Sequence, residues 1–187
     1  MIFAPVTMTL KDGGSAVLRS PDPVKDAPDL VQYLYDTAAD TPFVLRTPEE
    51  VSMTVEGEER FLRAVVESPN DCMILCEVDG RIAGNCHLSF MTKAKVRHRC
   101  SVAIALRKAY WGKGIGTAMF EEMERLARAR EGVRVMELEF IEGNSRARAL
   151  YEKMGLRIVG WHPDAICQKD GTMLALYIMQ KKLDTNT

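Results

Sequence analysis

The sequence lacks any run approaching the ~20 apolar residues that a membrane span requires. Its first residues, MIFAPVTMTLKDGG, do not lead from a basic start into a long apolar stretch. A cytoplasmic location with no membrane partner is the expectation. Cysteine is sparse and poorly spaced for joint work: the five thiols, Cys72, Cys76, Cys86, Cys100 and Cys167, are odd in number and form no CxxC or Cys/His ligand spacing. This argues against a metal site and against a disulfide framework, and predicts buried free thiols. Aromatic residues make up only 7% of the chain, and no basic stripe is interleaved with them, so nucleic acid is not an expected partner. Internal repeats, low-complexity tracts and interdomain linkers are also missing.

What is present is an ordinary globular composition. The 187 residues are 47% apolar and 27% charged, enough for one domain with a full core and short for two. The expectation is a single domain over 1–187, with its folded core at about 16–183 and a tail at 184–187. The net charge of −1 is unevenly placed. From Asp22 to Asp71 there are twelve acidic residues against four basic ones, a balance of −8, so the remainder carries +7. Such a split fits either two solvated faces or a division between two ligands of opposite sign.

Periodicity orders the chain. Met8 to Leu10 and Ala16 to Arg19 flank a KDGG turn as short strands. Ala27 to Ala39 has Leu30, Val31, Leu34, Tyr35 and Ala38 at helical spacing, and Glu56 to Ser68 is a second helix with Phe61, Leu62, Val65 and Val66 inward. The period then changes. Met73 to Val78 and Arg81 to Met91 are strands joined by Asp79-Gly80, a dipeptide suited to the positive backbone angles of a tight hairpin. Arg99 to Leu106 is a third, mostly apolar strand with expected burial on both faces. A helix over Thr117 to Arg130 and a strand over Val133 to Ile141 follow. Next comes a short helix capped by Asn144 and Gly155, and the strands Arg157 to Trp161 and Met173 to Gln180 close the chain. The order is that of one mixed α/β domain.

Between strand and helix lies YWGKGIGTAM, with glycines at 112, 114 and 116. Such a junction offers backbone N–H groups that the helix does not use, at the positive end of its dipole, and glycine lets a phosphate approach closely. Neither GxxxxGK[ST] nor GxGxxG fits this spacing, which disfavours a nucleotide-binding protein. The stretch resembles the acetyl-CoA loop of the GCN5-related N-acetyltransferase (GNAT) family, Q/R-x-x-G-x-G/A, with Trp111 where Gln or Arg is usual. A second stretch, NSRARALYEKMGL, is similar to the family's N-x-x-A-x-x-L-Y-x-x-x-G-F pattern at Asn144, Ala147, Leu150, Tyr151 and Gly155, with Leu156 replacing Phe.

The resemblance implies a GNAT-type α/β fold. Its central sheet is mixed and mostly antiparallel, with about six or seven strands flanked by about four helices, splayed between the strand ending near Leu106 and Val133 to Ile141. It implies acetyl-CoA as co-substrate, with no metal. The loop residues Gly112, Lys113, Gly114, Ile115, Gly116 and Thr117 would hold the pyrophosphate, and the edge of Ile104, Ala105 and Leu106 would pair with the pantetheine arm. Asn144 and Tyr151 would complete the cofactor side. Arg107, Lys108 and Lys113 are candidates for added charge near the phosphates.

Acetyl transfer to an amine needs a base and an acid. A lysine-like amine with pKa ~10.4 is about one part in a thousand neutral near neutral pH, a handicap of roughly 4 kcal/mol. Tyr151 is the expected acid toward the departing thiolate, although Ala147, Leu150, Tyr151 and Met154 also read as a buried helical stripe. Glu139, twelve residues ahead of Tyr151, is the expected base, a spacing similar to that of the ribosomal-protein alanine acetyltransferases of the family. A glutamate in a central strand is either paired or working, and His87 and His98 are the reserve candidates. The expected acceptor is a small cationic amine or a peptide or protein amine. A non-catalytic acyl-CoA-binding sensor is the alternative, and the residues leave homodimerisation open.

Overall fold

The computed structural model describes residues 1–183; the expected tail, 184–187, lies outside the described residues. The elements run β1 (Val6–Thr9), β2 (Ser15–Arg19), α1 (Pro23–Asp40), α2 (Val55–Glu67), β3 (Asp71–Val78), β4 (Arg81–Phe90), β5 (Arg99–Leu106), α3 (Ile115–Ala129), β6 (Val135–Ile141), α4 (Ser145–Lys153), β7 (Arg157–Cys167) and β8 (Met173–Lys182). The strands follow the hydrogen-bonded order β1-β2-β3-β4-β5-β6-β8-β7, eight in all among the described residues, slightly more than expected. Pairing of β5 with β6 is parallel, while β1–β2, β2–β3, β3–β4, β6–β8 and β7–β8 are antiparallel. The mixed α/β architecture is therefore as expected. The chain divides into two compact units, Met1–Ser89 with Ile104–Met119, and Phe90–Ala103 with the residues from Phe120 onward, so β5 and α3 each contribute to both.

In the first unit α1 starts where Asp22 accepts hydrogen bonds from the amides of Val24 and Lys25, with Pro23 in the first turn. Thr54 caps α2 in the same way through the amide of Gly57. The helices and sheet share a core of Ala27, Leu30, Tyr33, Leu62, Val65, Met73, Leu75 and Ile82. The buried stripe of α1 thus takes Tyr33, whereas Tyr35, expected inside, is 50% exposed. Tyr33 lies in the buried row of Asp26, Leu30 and Thr37 at helical spacing, and its hydroxyl donates to the Ala105 carbonyl at 2.7 Å. Phe61 is likewise turned out, and Glu58 takes a buried place on α2 beside Leu62 and Val65. The β3–β4 hairpin turns through Asp79 (φ 49) and Gly80 (φ 77), the backbone that an Asp-Gly turn provides.

In the second unit the parallel ladder between β5 and β6 runs from Arg99↔Val135 to Ser101↔Glu137, while both strands continue beyond it. Hydrogen-bonded to β8 on its other edge, β6 buries Met136, Leu138 and Phe140. The Asn144 side chain accepts from the amide of Ala147 at 3.2 Å to begin α4, and Gly155 (φ 85) ends it in the left-handed conformation.

Two expectations need correction. β5 is not buried on both faces: Cys100 and Val102 are buried while Arg99 and Ser101 are half-buried, and past the end of the β6 ladder Ala103 is exposed and Ile104 to Leu106 are half-buried. Four of the cysteines are buried as expected, but Cys167 is exposed at the end of β7, the last strand in the sheet order.

Gly84 in β4 lets β5 come close. A Cβ there would lie 2.8 Å from Leu106 Cγ and 3.0 Å from the Ala105 carbonyl oxygen. Gly84→Ala is expected to lower stability by about 1–3 kcal/mol in denaturant titration, since the obstacle includes backbone. An unchanged midpoint would show that β5 yields easily.

Candidate active site

The glycine loop is built within the first unit. After β5 the chain makes a short 3-10 turn over Lys108–Tyr110, and α3 begins at Ile115. Gly112 (φ 81) and Gly114 (φ 91) are left-handed, a conformation that most side chains resist. The amide of Ala118 bonds the Gly114 carbonyl at 3.2 Å, closing the first turn of α3. The amides of Gly114, Ile115 and Gly116 therefore have no carbonyl supplied by their own helix and stand at its positive end. The β1–β2 turn braces this loop from outside: the Lys11 amide bonds the Lys113 carbonyl at 3.1 Å, and Lys113 Nζ pairs with Asp12 at 2.9 Å. That pair holds the Lys113 ammonium above its ordinary pKa, chiefly through the Asp12 hydrogen bond. Thr117, half-buried in the first turn of α3, follows them.

The edge of β5 is oriented by its neighbours. The Ala105 carbonyl faces Gly84 and accepts from Tyr33, and the Arg107 amide bonds the Ala83 carbonyl at 3.0 Å. Residues 105 and 107 thus turn their main-chain groups toward β4. By the two-residue alternation of a strand, Ile104 and Leu106 turn theirs away. Of the three expected edge residues, Ala105 already has its carbonyl engaged. Leu106 also gives its carbonyl to the indole N–H of Trp111, at 2.9 Å. What faces outward is the N–H and C=O of Ile104 and the N–H of Leu106.

Arg107 does not point its charge at a phosphate. It is buried, bonded to Asp29 at 2.8 Å, to Asp36 at 2.8 Å and to the Ile82 carbonyl, and it lies 5.3 Å from the centre of the Tyr33 ring. A guanidinium this buried needs its carboxylates, which is why the sequence-based reading of it as a phosphate ligand is overturned. The Lys108 amide bonds Asp40 at 2.7 Å. These contacts also revise the acidic stretch. Asp29 and Asp36 face Arg107, and Asp26 faces Arg19 at 2.6 Å, so three of its charges are met by arginines from outside it.

In the second unit Tyr151 is the buried residue of α4, its ring 6.1 Å from that of Phe120 and 6.0 Å from that of Phe140. The rest of the expected stripe, Ala147, Leu150 and Met154, is only half-buried. Burial pushes the Tyr151 phenol up to about 12, so it remains protonated, a hydrogen-bond donor, across the neutral range. Glu139 is exposed, whereas its face-mate Glu137 is buried and bonded to Arg99 at 2.9 Å and to Gln180 at 3.0 Å. Of the two strand glutamates, Glu137 is the paired one. Strand alternation sets Glu139 opposite Phe140, against which Tyr151 packs, so Glu139 and Tyr151 address β6 from opposite faces. Asn144 has its side-chain oxygen committed to the α4 cap.

Of the reserve histidines, His87 lies in β4 with Nε2 3.3 Å from Asp71, and burial lowers its pKa more than Asp71 raises it. Asp71 also accepts from Ser68 and Ser89, both at 2.7 Å. This is a packed polar knot inside the first unit. His98 offers its carbonyl to the amides of Arg134 and Val135, a backbone role. The sequence reading passed over Tyr33, Gly84 and Glu58, the last 3% exposed with its carboxyl raised by burial. The spacing of Glu58, Leu62 and Val65 along one helical face was the available signal.

The family model described as the acetyltransferase (GNAT) family matches residues 31–156. A Bacillus subtilis (strain 168) protein named "Putative ribosomal protein bS18-alanine N-acetyltransferase" is 27% identical over 101 residues, covering 54% of this chain and 63% of that protein. The match thus spans less than two thirds of that curated relative. Among solved structures, an acetyltransferase of the GNAT family from Streptococcus pneumoniae is 28% identical with a TM-score of 0.82, over 90% of this chain and 99% of the other. A ribosomal-protein-alanine N-acetyltransferase from Brucella melitensis is 24% identical with a TM-score of 0.76, over 89% and 99%, a likeness of fold.

The two strand glutamates are separable by experiment. Glu137→Gln is expected to destabilise the protein by about 1–3 kcal/mol, since it weakens charge-assisted bonds to Arg99. Glu139→Gln should change stability by less than about 0.5 kcal/mol. Equal thermal midpoints for the two variants would contradict this division.

Proposed function

Because the chain belongs to the acetyltransferase (GNAT) family, we propose that it is a cytoplasmic acetyl-CoA-dependent N-acetyltransferase, one acetyltransferase domain in extent, whose acceptor is a peptide or protein amine. The observation that carries this reading is the junction of β5 and α3. Two left-handed glycines open a helix end toward an anion, directly after a strand edge whose outward main-chain groups at Ile104 and Leu106 suit an amide-bearing chain. Acetyl-CoA supplies the activated thioester. The loop over 112–117 holds its pyrophosphate, the β5 edge orients its pantetheine amides, and no metal is required.

Glu139 takes the amine proton, through water, from the exposed face of β6. Tyr151 acts from the opposite face. With the phenol at about 12 and an ordinary thiol near ~8.5, full proton transfer to the thiolate is uphill by about 5 kcal/mol. Tyr151 therefore serves by donating a hydrogen bond to the developing thiolate, which lowers the barrier without a completed transfer.

A peptide amine is favoured over a small polyvalent cation because part of the acidic stretch is neutralised internally by Arg19 and Arg107. The names of the Bacillus and Brucella proteins, both alanine N-acetyltransferases of ribosomal proteins, point the same way.

The test is thiol release from acetyl-CoA with a panel of peptide amines and small amines. Turnover with a peptide amine is expected; acetyl-CoA binding without thiol release from any amine would favour the sensor reading instead. Tyr151→Phe should lower turnover about 10²-fold or more while leaving acetyl-CoA affinity within about twofold. Equal turnover would remove Tyr151 from the reaction. In the wild type Tyr151 should give the pH–rate profile no falling limb below about pH 10, because its phenol stays protonated there. Glu139→Gln should lower turnover about 10-fold or more while leaving acetyl-CoA affinity within about twofold, and unchanged turnover would give the base's role to another group.

A further inference from the structure

We propose that Trp111 is a positioning residue that sets the cofactor loop by a single hydrogen bond to the end of β5. This rests on the reading of the loop as the coenzyme A site and adds a residue to it. The indole Nε1–H donates to the Leu106 carbonyl at 2.9 Å, across a gap of five residues. Between those two residues the chain makes its 3-10 turn, in which Tyr110 N bonds the Arg107 carbonyl at 3.0 Å and Trp111 N bonds the Lys108 carbonyl at 3.1 Å. Main chain alone thus closes the inner turns, and the indole closes the outer one.

This bond acts on both parts of the cofactor site. It occupies the Leu106 carbonyl, so that the outward groups left on the edge are those of Ile104 and the Leu106 N–H. It also fixes the backbone at Trp111, the residue before left-handed Gly112, and so sets the direction in which the loop amides leave the strand. A pantetheine edge and a phosphate loop must keep a constant separation to bind one molecule across both. A rigid, planar donor bridging them preserves that separation without needing a charged side chain. Tyrosine or phenylalanine would fill similar space without an N–H at this point.

Three measurements test this. Trp111→Phe should weaken coenzyme A binding by about fivefold to tenfold in calorimetry, as expected for one lost hydrogen bond. Its ligand-free thermal midpoint should fall by no more than about 4 °C, the scale of one hydrogen bond in a chain of this length. Trp111→Arg, which restores a donor, should recover affinity to within about twofold of wild type. Unchanged affinity in Trp111→Phe overturns the proposal, as does loss of affinity that follows a matching fall in midpoint and is not recovered by Trp111→Arg. Should Trp111→Phe fail to fold, Trp161→Phe leaves Trp111 as the sole indole. Its indole N–H should then exchange with water more slowly than a free indole in the ligand-free protein, and exchange at the free rate overturns the proposal. If the wild-type protein binds no coenzyme A, the reading of the loop itself fails, which is a different outcome from equal binding by wild type and Trp111→Phe.

Discussion

A guanidinium removed from water has to be met by carboxylates and carbonyls in fixed directions, and Arg107 is held in this way at the end of β5. Asp29 and Asp36 come from α1, and the Ile82 carbonyl comes from β4. One side chain thus ties strand, helix and hairpin together at the residue where β5 stops. The Arg107 amide, bonded to Ala83, sets the phase of the strand just before it. From that phase follow the inward carbonyl of Ala105, the outward groups of Ile104 and Leu106, and the point at which the chain is free to turn into the glycine loop.

Close packing enforces the same phase from the other side. Gly84 has no room for a side chain beside Leu106, and Tyr33 reaches from the core of α1 to the Ala105 carbonyl. The chain continues through Trp111, whose indole returns to Leu106, and on to two glycines whose left-handed backbone opens α3. The loop is therefore held in one shape by bonds at both ends, the β1–β2 turn adding Lys11 and Asp12 as an outer brace. A loop so held would meet an anion of the proposed cofactor without having to order itself first.

The second unit separates its polar groups by the pleat of one strand. Along β6, Glu137 is buried with Arg99, Glu139 is exposed, and Phe140 faces the ring of Tyr151. Burial that raises the Tyr151 phenol keeps its proton in place, and exposure leaves the Glu139 carboxylate in contact with water. Glu139 and Phe140, neighbours in sequence, thus meet different surroundings because they lie on opposite faces of β6.

Much of this was legible in the residues. The order of helices and strands, the Asp79-Gly80 hairpin, the caps at Asn144 and Gly155 and the glycine spacing are local features, set by backbone preferences and periodicity over a few residues. With the motif ending at Gly155 they were enough to indicate the family, the expected cofactor loop and the candidate residues Glu139 and Tyr151. Which tyrosine of α1 is buried, that Arg107 serves the fold, that Glu137 carries the ion pair, and what Trp111 bonds were decided only by tertiary structure. Each depends on partners 5 to 78 residues away in the chain, such as Trp111 with Leu106 or Arg107 with Asp29. A side chain's type limits the bonds it can make, but its partner is chosen by which segments the fold brings within hydrogen-bond distance.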